Sequence, residues 1–301
     1  MQHEDLMATA RLALACLDLT SLNDGQDVRG GQADIEALCA RADGPHGHAA
    51  AVCVWPRLAG LARSLLQPTI RVAAVANFPD GSSDIQRAVR DTAEIAAAGA
   101  QEVDVVMPYC DLAAAPALLA AVRRECAGLT LKVILETGEI ANDALIAQAA
   151  RIALDAGADF LKTSTGKRPV SATPAAARLL LQAIAGDAVA RSHVGFKPAG
   201  GIRTVADAAV YIALTAELLG PGAVGPARFR IGASGLLDDI EAVLGGADDA
   251  ALTRGMSSDM GSDMSSGMSS GMSSGTSSGT SSGTGGGTSS GTGTGSGTST
   301  Y

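Results

Sequence analysis

The sequence predicts an α/β fold: a single closed (β/α)8 barrel followed by a long disordered C-terminal tail. Three observations predict it. Short β-rich runs alternate with Ala-rich stretches of helical spacing, and such alternation implies parallel strands joined by right-handed crossovers. Before the tail there are about 250 foldable residues, the usual size of one such barrel. No Gly-rich fingerprint follows the first strand, where Leu17-Asp18-Leu19-Thr20-Ser21 stands instead, and this disfavours an open doubly wound sheet.

The predicted strands are, in order, Leu14–Leu19, Ala50–Trp55, Ile70–Ala76, Glu102–Met107, Leu131–Leu135, Asp159–Lys162, His193–Lys197 and Arg228–Ile231. Each is short and rich in Val, Ile, Leu or Phe, the texture of strands buried on both faces. Between them, Asp84–Ala98, Asn142–Ala156, Pro174–Ala185 and Val205–Leu219 carry the 3.6-residue apolar period of helices. Ser83, Asn142, Thr173 and Thr204 are placed as N-caps. Gly99, Gly157 and Gly220 follow their helices as C-terminal caps. Residues 1–250 are read as the barrel and 251–301 as the tail.

From Met256 the chain repeats Ser-Ser-Gly-Met, Ser-Ser-Gly-Thr and Gly-Thr, ending at Tyr301. That composition buries too little apolar surface to offset its ordering entropy. Methionines recur every four residues from Met256 to Met272, but the glycines between them oppose a helix.

All 22 Lys and Arg lie before Gly255, as do 29 of the 31 Asp and Glu, so the chain up to that point carries a net charge of about −7. An acidic domain is a poor partner for nucleic acid or an anionic membrane. No stretch of 18 uncharged apolar residues is present, so no membrane span is expected. The N-terminus lacks the basic region of a signal peptide. Five widely spaced cysteines with no CxxC pair fit a reducing, cytoplasmic setting.

Lysine usage carries the chemistry. The chain has 18 Arg but only four Lys: Lys132, Lys162, Lys167 and Lys197. Each falls in or just after a predicted strand, and Lys162 and Lys197 end neighbouring ones. Arg stays protonated, whereas Lys can become neutral and attack a carbonyl to form an imine. Neutrality at pH 7 requires the amine pKa to fall by about three, through burial or a neighbouring cation. Phe160 and Leu161 give Lys162 apolar walls, and Lys197 offers the second positive charge. Ion-paired structural lysines are the plainer reading. Asp18, Asp104 and Glu136 lie in or end other strands, placing carboxylates where they can move protons during imine formation or serve as salt-bridge partners.

Three loops at the same rim suggest a phosphate site: Thr163-Ser164-Thr165-Gly166-Lys167, Pro198-Ala199-Gly200-Gly201-Ile202-Arg203, and Gly232-Ala233-Ser234-Gly235. Their glycines allow close backbone approach, and helix N-termini favour anions.

The segments GADFLKTSTGK (157–167) and VGFKPAGGIRT (194–204) resemble the two signature segments of 2-deoxy-D-ribose-5-phosphate aldolases. EVDVV (102–106), LKVILETGE (131–139), AVANFPDG (74–81) and LDLTSLN (17–23) extend the resemblance from about Leu12 to Leu244. It implies a cofactor-free, metal-free class I aldolase of deoxyribose phosphate catabolism. Such an enzyme reversibly cleaves 2-deoxy-D-ribose 5-phosphate to D-glyceraldehyde 3-phosphate and acetaldehyde. It further implies Lys162 as Schiff-base nucleophile, Lys197 as the cation that lowers its pKa, Asp104 as proton relay and Asp18 as support. Gly166, Lys167, Gly200, Gly201, Arg203, Gly232 and Ser234 would cradle phosphate, with Thr20, Cys53 and Thr165 lining the substrate site. The expected partners are small phosphosugars and aldehydes, on a monomer or homodimer.

Two features depart from the pattern. Many bacterial members carry two serines in the last loop, whereas Gly235 follows Ser234 here. Some members end in a tyrosine that assists proton transfer, and Tyr301 resembles it on a much longer tether. A flexible tether of about 55 residues has an r.m.s. reach of roughly 40 Å. Alternatives on chemistry alone are another imine-forming barrel enzyme or a non-catalytic sugar-phosphate binder. A zinc aldolase would need clustered histidines, and His3, His46, His48 and His193 are scattered.

Overall fold

Each predicted strand region contributes to one parallel sheet. A computed structural model describes residues 3–23, 28–140 and 142–246. The strands are β1 Leu17–Thr20, β2 Ala51–Val54, β3 Arg71–Ala76, β4 Glu102–Val106, β5 Thr130–Ile134, β6 Phe160–Lys162, β7 Gly195–Lys197 and β8 Ile231–Ala233. Each pairs in parallel with its sequence neighbour, and β8 returns to pair with β1. Parallel bridges Phe196↔Phe229 and Ala199↔Gly232 close the ring between β7 and β8. The result is a (β/α)8 TIM barrel, whose chemistry belongs at the C-terminal ends of the strands.

The helices are α1 His3–Ala15, α2 Val28–Ala42, α3 Pro56–Leu65, α4 Ile85–Ala97, α5 Ala115–Glu125, α6 Asp143–Asp155, α7 Pro174–Gly186, the short α8 Ala190–His193 and α9 Val205–Leu219. A last helix, α10, is described over residues 236–246. Asn142 and Thr173 cap as expected, each accepting a backbone N–H three residues on. Thr204 forms a complete capping box with Asp207. At α4 the cap is Asp84 rather than Ser83, accepting from Arg87 N. Among the described residues no helix is long and apolar enough to cross a membrane.

The second to sixth strands keep their expected bounds to within one residue, the seventh begins at Gly195 because His193 ends α8, and the first and last strands differ more. The first strand begins at Leu17 because the Ala- and Leu-rich run before it continues α1 to Ala15, as its high helix propensity favours. The last begins at Ile231, although Phe196 N donates to Arg228 O and Arg230 N to Phe196 O just before it. A two-residue antiparallel pair, Asp43–Gly44 with Gly47–His48, precedes β2.

Strands β2 and β4 are buried along their whole length, as expected for a sheet covered on both faces. Apolar residues outside the ring pack against the helices. Inside it the core is charged.

Candidate active site

The charged interior is built by strand alternation and register. Residues two apart on a strand share a face, so Glu102 and Asp104 both reach the same network of β4. Asp104 stands in register with Lys132 of β5, and Lys162 of β6 with Lys197 of β7. Asp18 comes from β1, and Arg230 from just before β8.

These seven side chains form one network, none more than 5% exposed. Asp104 Oδ2 accepts from Lys162 Nζ at 2.7 Å and from Lys197 Nζ at 2.8 Å. Its Oδ1 accepts from Lys132 Nζ at 2.8 Å. Lys197 Nζ also donates to Asp18 Oδ2 at 2.5 Å. Lys132 Nζ stands 2.5 Å from Glu102 Oε2 and 3.2 Å from Asp18 Oδ2. Arg230 spans Asp18 Oδ1 at 2.7 Å and both Glu102 oxygens at 2.9 and 3.2 Å. Its guanidinium also lies over the Phe160 ring, 5.7 Å from the centroid.

Burial and charge then separate the three lysines. Burial lowers the Lys162 pKa, with Asp104 opposing and the Lys197 charge lowering it further. Burial also disfavours charge on Lys197, but Asp104 and Asp18 outweigh it and hold its pKa above the ordinary value. Lys132 behaves likewise, its burial overcome by Asp104, Asp18 and Glu102. Asp104 and Asp18 would be raised by burial, yet the surrounding cations hold both well below the usual carboxylate range. Among these lysines, Lys162 alone is pushed towards the neutral amine. The charge of Lys197 contributes to that shift, and loss of solvent contributes more.

Lys162 opens into a cavity of about 540 Å³ at the C-terminal rim. The walls include Thr20, Thr165, Gly166, Lys167, Gly200, Gly201, Arg203, Gly232 and Ser234. Backbone hydrogen bonds hold the loops together: Gly200 N to Gly232 O at 3.2 Å, and Gly232 N to Pro198 O at 2.9 Å. Thr163 Oγ1 accepts from Ala199 N at 3.0 Å. Gly200 has φ +82, and a Cβ there would lie 2.6 Å from Ser171 Oγ. Gly232 is required differently: a Cβ would lie 3.1 Å from Lys197 Cε and 2.9 Å from Ala199 Cβ. A buried amine beside a carboxylate, at the base of a cavity rimmed by glycines and cations, is equipped for imine chemistry on an anionic carbonyl compound.

A profile for DeoC/LacD family aldolases matches residues 12–240. The chain belongs to that family. It is 46% identical over 254 residues to the deoxyribose-phosphate aldolase of Agrobacterium fabrum, covering 82% of this chain and 95% of that protein. A crystal structure from Toxoplasma gondii ME49 matches with a TM-score of 0.75 at 24% identity, covering 83% of this chain and 99% of the other. A tetrameric deoxyribose phosphate aldolase from Aeropyrum pernix matches with a TM-score of 0.61 at 22% identity, over 83% and 100%. At these identities the two structures speak for the fold alone.

In this aldolase the structure brings Lys162, Lys197, Asp104 and Asp18 into direct contact, and the phosphate-loop residues onto one cavity. Cys53 stands behind Asp104, its Sγ 3.9 Å from Oδ2, and is fully buried rather than part of the cavity wall. Burial, with Asp104 beside it, pushes its thiol pKa up. Tyr301 lies outside the described residues.

Glu136 does not join the lysines. It sits at φ +55 and accepts from Thr165 Oγ1 at 2.5 Å and from Thr165 N at 3.2 Å. Thr165 Oγ1 in turn accepts from Lys167 N at 3.0 Å. Glu136 is thus a strut for the loop after β6. Sequence reasoning named Lys132 among the four lysines without giving it a role, and overlooked Glu102 and Arg230 as members of the network. The i, i+2 spacing of Glu102 with Asp104, and of Lys132 with Ile134 in a buried strand, was the available signal.

Proposed function

We propose that the cavity cleaves 2-deoxy-D-ribose 5-phosphate reversibly to D-glyceraldehyde 3-phosphate and acetaldehyde, as a class I aldolase. The observation that carries this reading is the Lys162 amine, desolvated and hydrogen-bonded to Asp104, in the wall of a cavity also lined by backbone glycines, Lys167 and Arg203.

In this reading the neutral Lys162 amine attacks the aldehyde carbon C1 of the open-chain sugar. The alkoxide so formed takes one proton from solvent, and the nitrogen proton passes to Asp104, which returns it to the hydroxyl, so water leaves and a protonated imine forms. Asp104 suits this role by position, because its Oδ2 accepts from Lys162 Nζ at 2.7 Å. Loss of the C3 hydroxyl proton then breaks C2–C3, releasing glyceraldehyde 3-phosphate and leaving the enamine. Protonation at C2 and hydrolysis release acetaldehyde. Lys197, held charged between Asp104 and Asp18, favours the neutral form of Lys162. Asp18 fixes Lys197.

Gly166, Lys167, Gly200, Gly201, Arg203, Gly232 and Ser234 bind the phosphate, and Thr20 and Thr165 flank the sugar. The assignment of residues 1–250 to the catalytic barrel and 251–301 to a low-complexity tail rests on composition. A proton-transfer role for Tyr301 on that tether rests instead on the resemblance to family members that end in a tyrosine. Deleting Tyr301 tests it, because an unchanged rate of acetaldehyde α-proton exchange removes the role. A monomer or homodimer in the cytoplasm completes the proposal. Five free cysteines fit a reducing compartment, and sedimentation with the purified chain tests the assembly against the tetramer of the Aeropyrum relative.

Incubation with acetaldehyde and borohydride tests the chemistry, since a binder without an activated amine forms no covalent adduct. Product analysis with deoxyribose 5-phosphate against ketose phosphates then separates this activity from other imine-forming barrels.

A further inference from the structure

The barrel interior holds an unequal number of opposite charges. Among the described residues, Lys132, Lys162, Lys197 and Arg230 face only the carboxylates of Asp18, Glu102 and Asp104. Arg71 approaches Glu102 at 3.7 Å but is half-exposed, where solvent screens its charge. Uncompensated charge in such a place is expelled by proton loss. Arg230 cannot release its proton, and Lys132 and Lys197 each touch at least two carboxylates, whereas Lys162 touches Asp104 alone.

We propose that Arg230 is a positioning residue for the reaction: by occupying Asp18 and Glu102 it leaves Lys162 as the one amine whose charge the carboxylates do not balance. Arg230 does not touch Lys162. It acts through Asp18, which also holds Lys197, and through Glu102, which also holds Lys132. The charged or titratable groups around Lys162 are Asp18 of β1, Cys53 of β2, Glu102 and Asp104 of β4, Lys132 of β5, Lys197 of β7 and Arg230 before β8. Glu136, after β5, is committed to Thr165.

This inference rests on Lys162 being the nucleophile. Its test is the pH profile of kcat/KM for deoxyribose 5-phosphate cleavage by the full chain, whose acid limb reports ionisation of the free enzyme. Arg230→Met removes the extra cation, and the limb should move up by about one pH unit, a roughly tenfold loss on the acid side. Arg230→Lys should keep the wild-type limb. Glu102→Gln should move it down. The Arg230→Met/Glu102→Gln double variant restores the one-charge excess and should return the limb to the wild-type position. Should Arg230→Met not fold, Glu102→Gln and Arg230→Lys still decide.

A limb that stays in place in Arg230→Met or Glu102→Gln, or that moves the same way in both, overturns the inference. Mapping of the borohydride-reduced acetaldehyde adduct keeps the two readings apart. An adduct on Lys162 with an unmoved limb sinks only the charge count. An adduct on another residue sinks the nucleophile assignment itself.

Discussion

At the scale of single residues, the interior network sets firm expectations. Lys132 contacts three carboxylates with no solvent to replace it. Lys132→Met should therefore cost about 3–5 kcal/mol of stability, the penalty for leaving buried charge unpaired, measured by urea unfolding. Gly232→Ala pushes a methyl against Lys197 Cε and Ala199 Cβ. It should lower kcat by on the order of tenfold to a hundredfold through misplacement of the amine, and near-wild-type turnover would show that Lys197 needs no such fixed place. The lysines were legible because four among so many arginines stand out, each in or just after a strand. Arg230 was not, since one arginine among 18 carries no such signal, and only the closure of β8 onto β1 brings it to Asp18. Glu136 looked like another proton carrier from its place after a strand. Its positive φ turns it instead to Thr165, a backbone detail that the LETGE motif does not spell out.

Among the elements, the loop after β6 is the one whose order matters most for the phosphate end. Glu136 fixes Thr165, and Thr165 fixes the Lys167 amide. Glu136→Gln weakens a charge-assisted strut worth about 1.5–3 kcal/mol. It should raise KM for deoxyribose 5-phosphate on the order of tenfold while leaving the KM for unphosphorylated deoxyribose unchanged. Equal loss for both substrates would mean that the strut supports the whole site and not the phosphate loop. Helix starts were legible where a side chain could only be a cap, as at Asn142, Thr173 and Thr204. At α4, Ser83 and Asp84 are both competent caps, and sequence alone does not choose between adjacent ones. The first strand was read too long because Leu14 and Ala15 satisfy either an apolar strand or an Ala-rich helix.

Across the whole molecule, parallel alternation and length were enough to give the closed barrel. The charged interior was legible only in part: Lys162, Lys197, Asp18 and Asp104 stood out, but the links through Glu102, Lys132 and Arg230 depend on register across strands far apart in sequence. That network also shapes stability against pH. Asp18 and Asp104 have pKa values held below their unfolded value of about 4. Their contribution is therefore present above that value and lost as pH falls through the folded pKa values. Urea unfolding should show no loss of stability from this pair between pH 7 and pH 5. A steep loss in that window, absent when Asp18 and Asp104 are replaced, would contradict the depressed values. Burial pushes the Lys162 amine towards its neutral form, and the most direct test of its part in the chemistry reads where acetaldehyde attaches. Peptide mapping after borohydride reduction at pH 7 should place the ethyl group on Lys162. Reduced adduct on Lys132 or Lys197, or none at all, would contradict it.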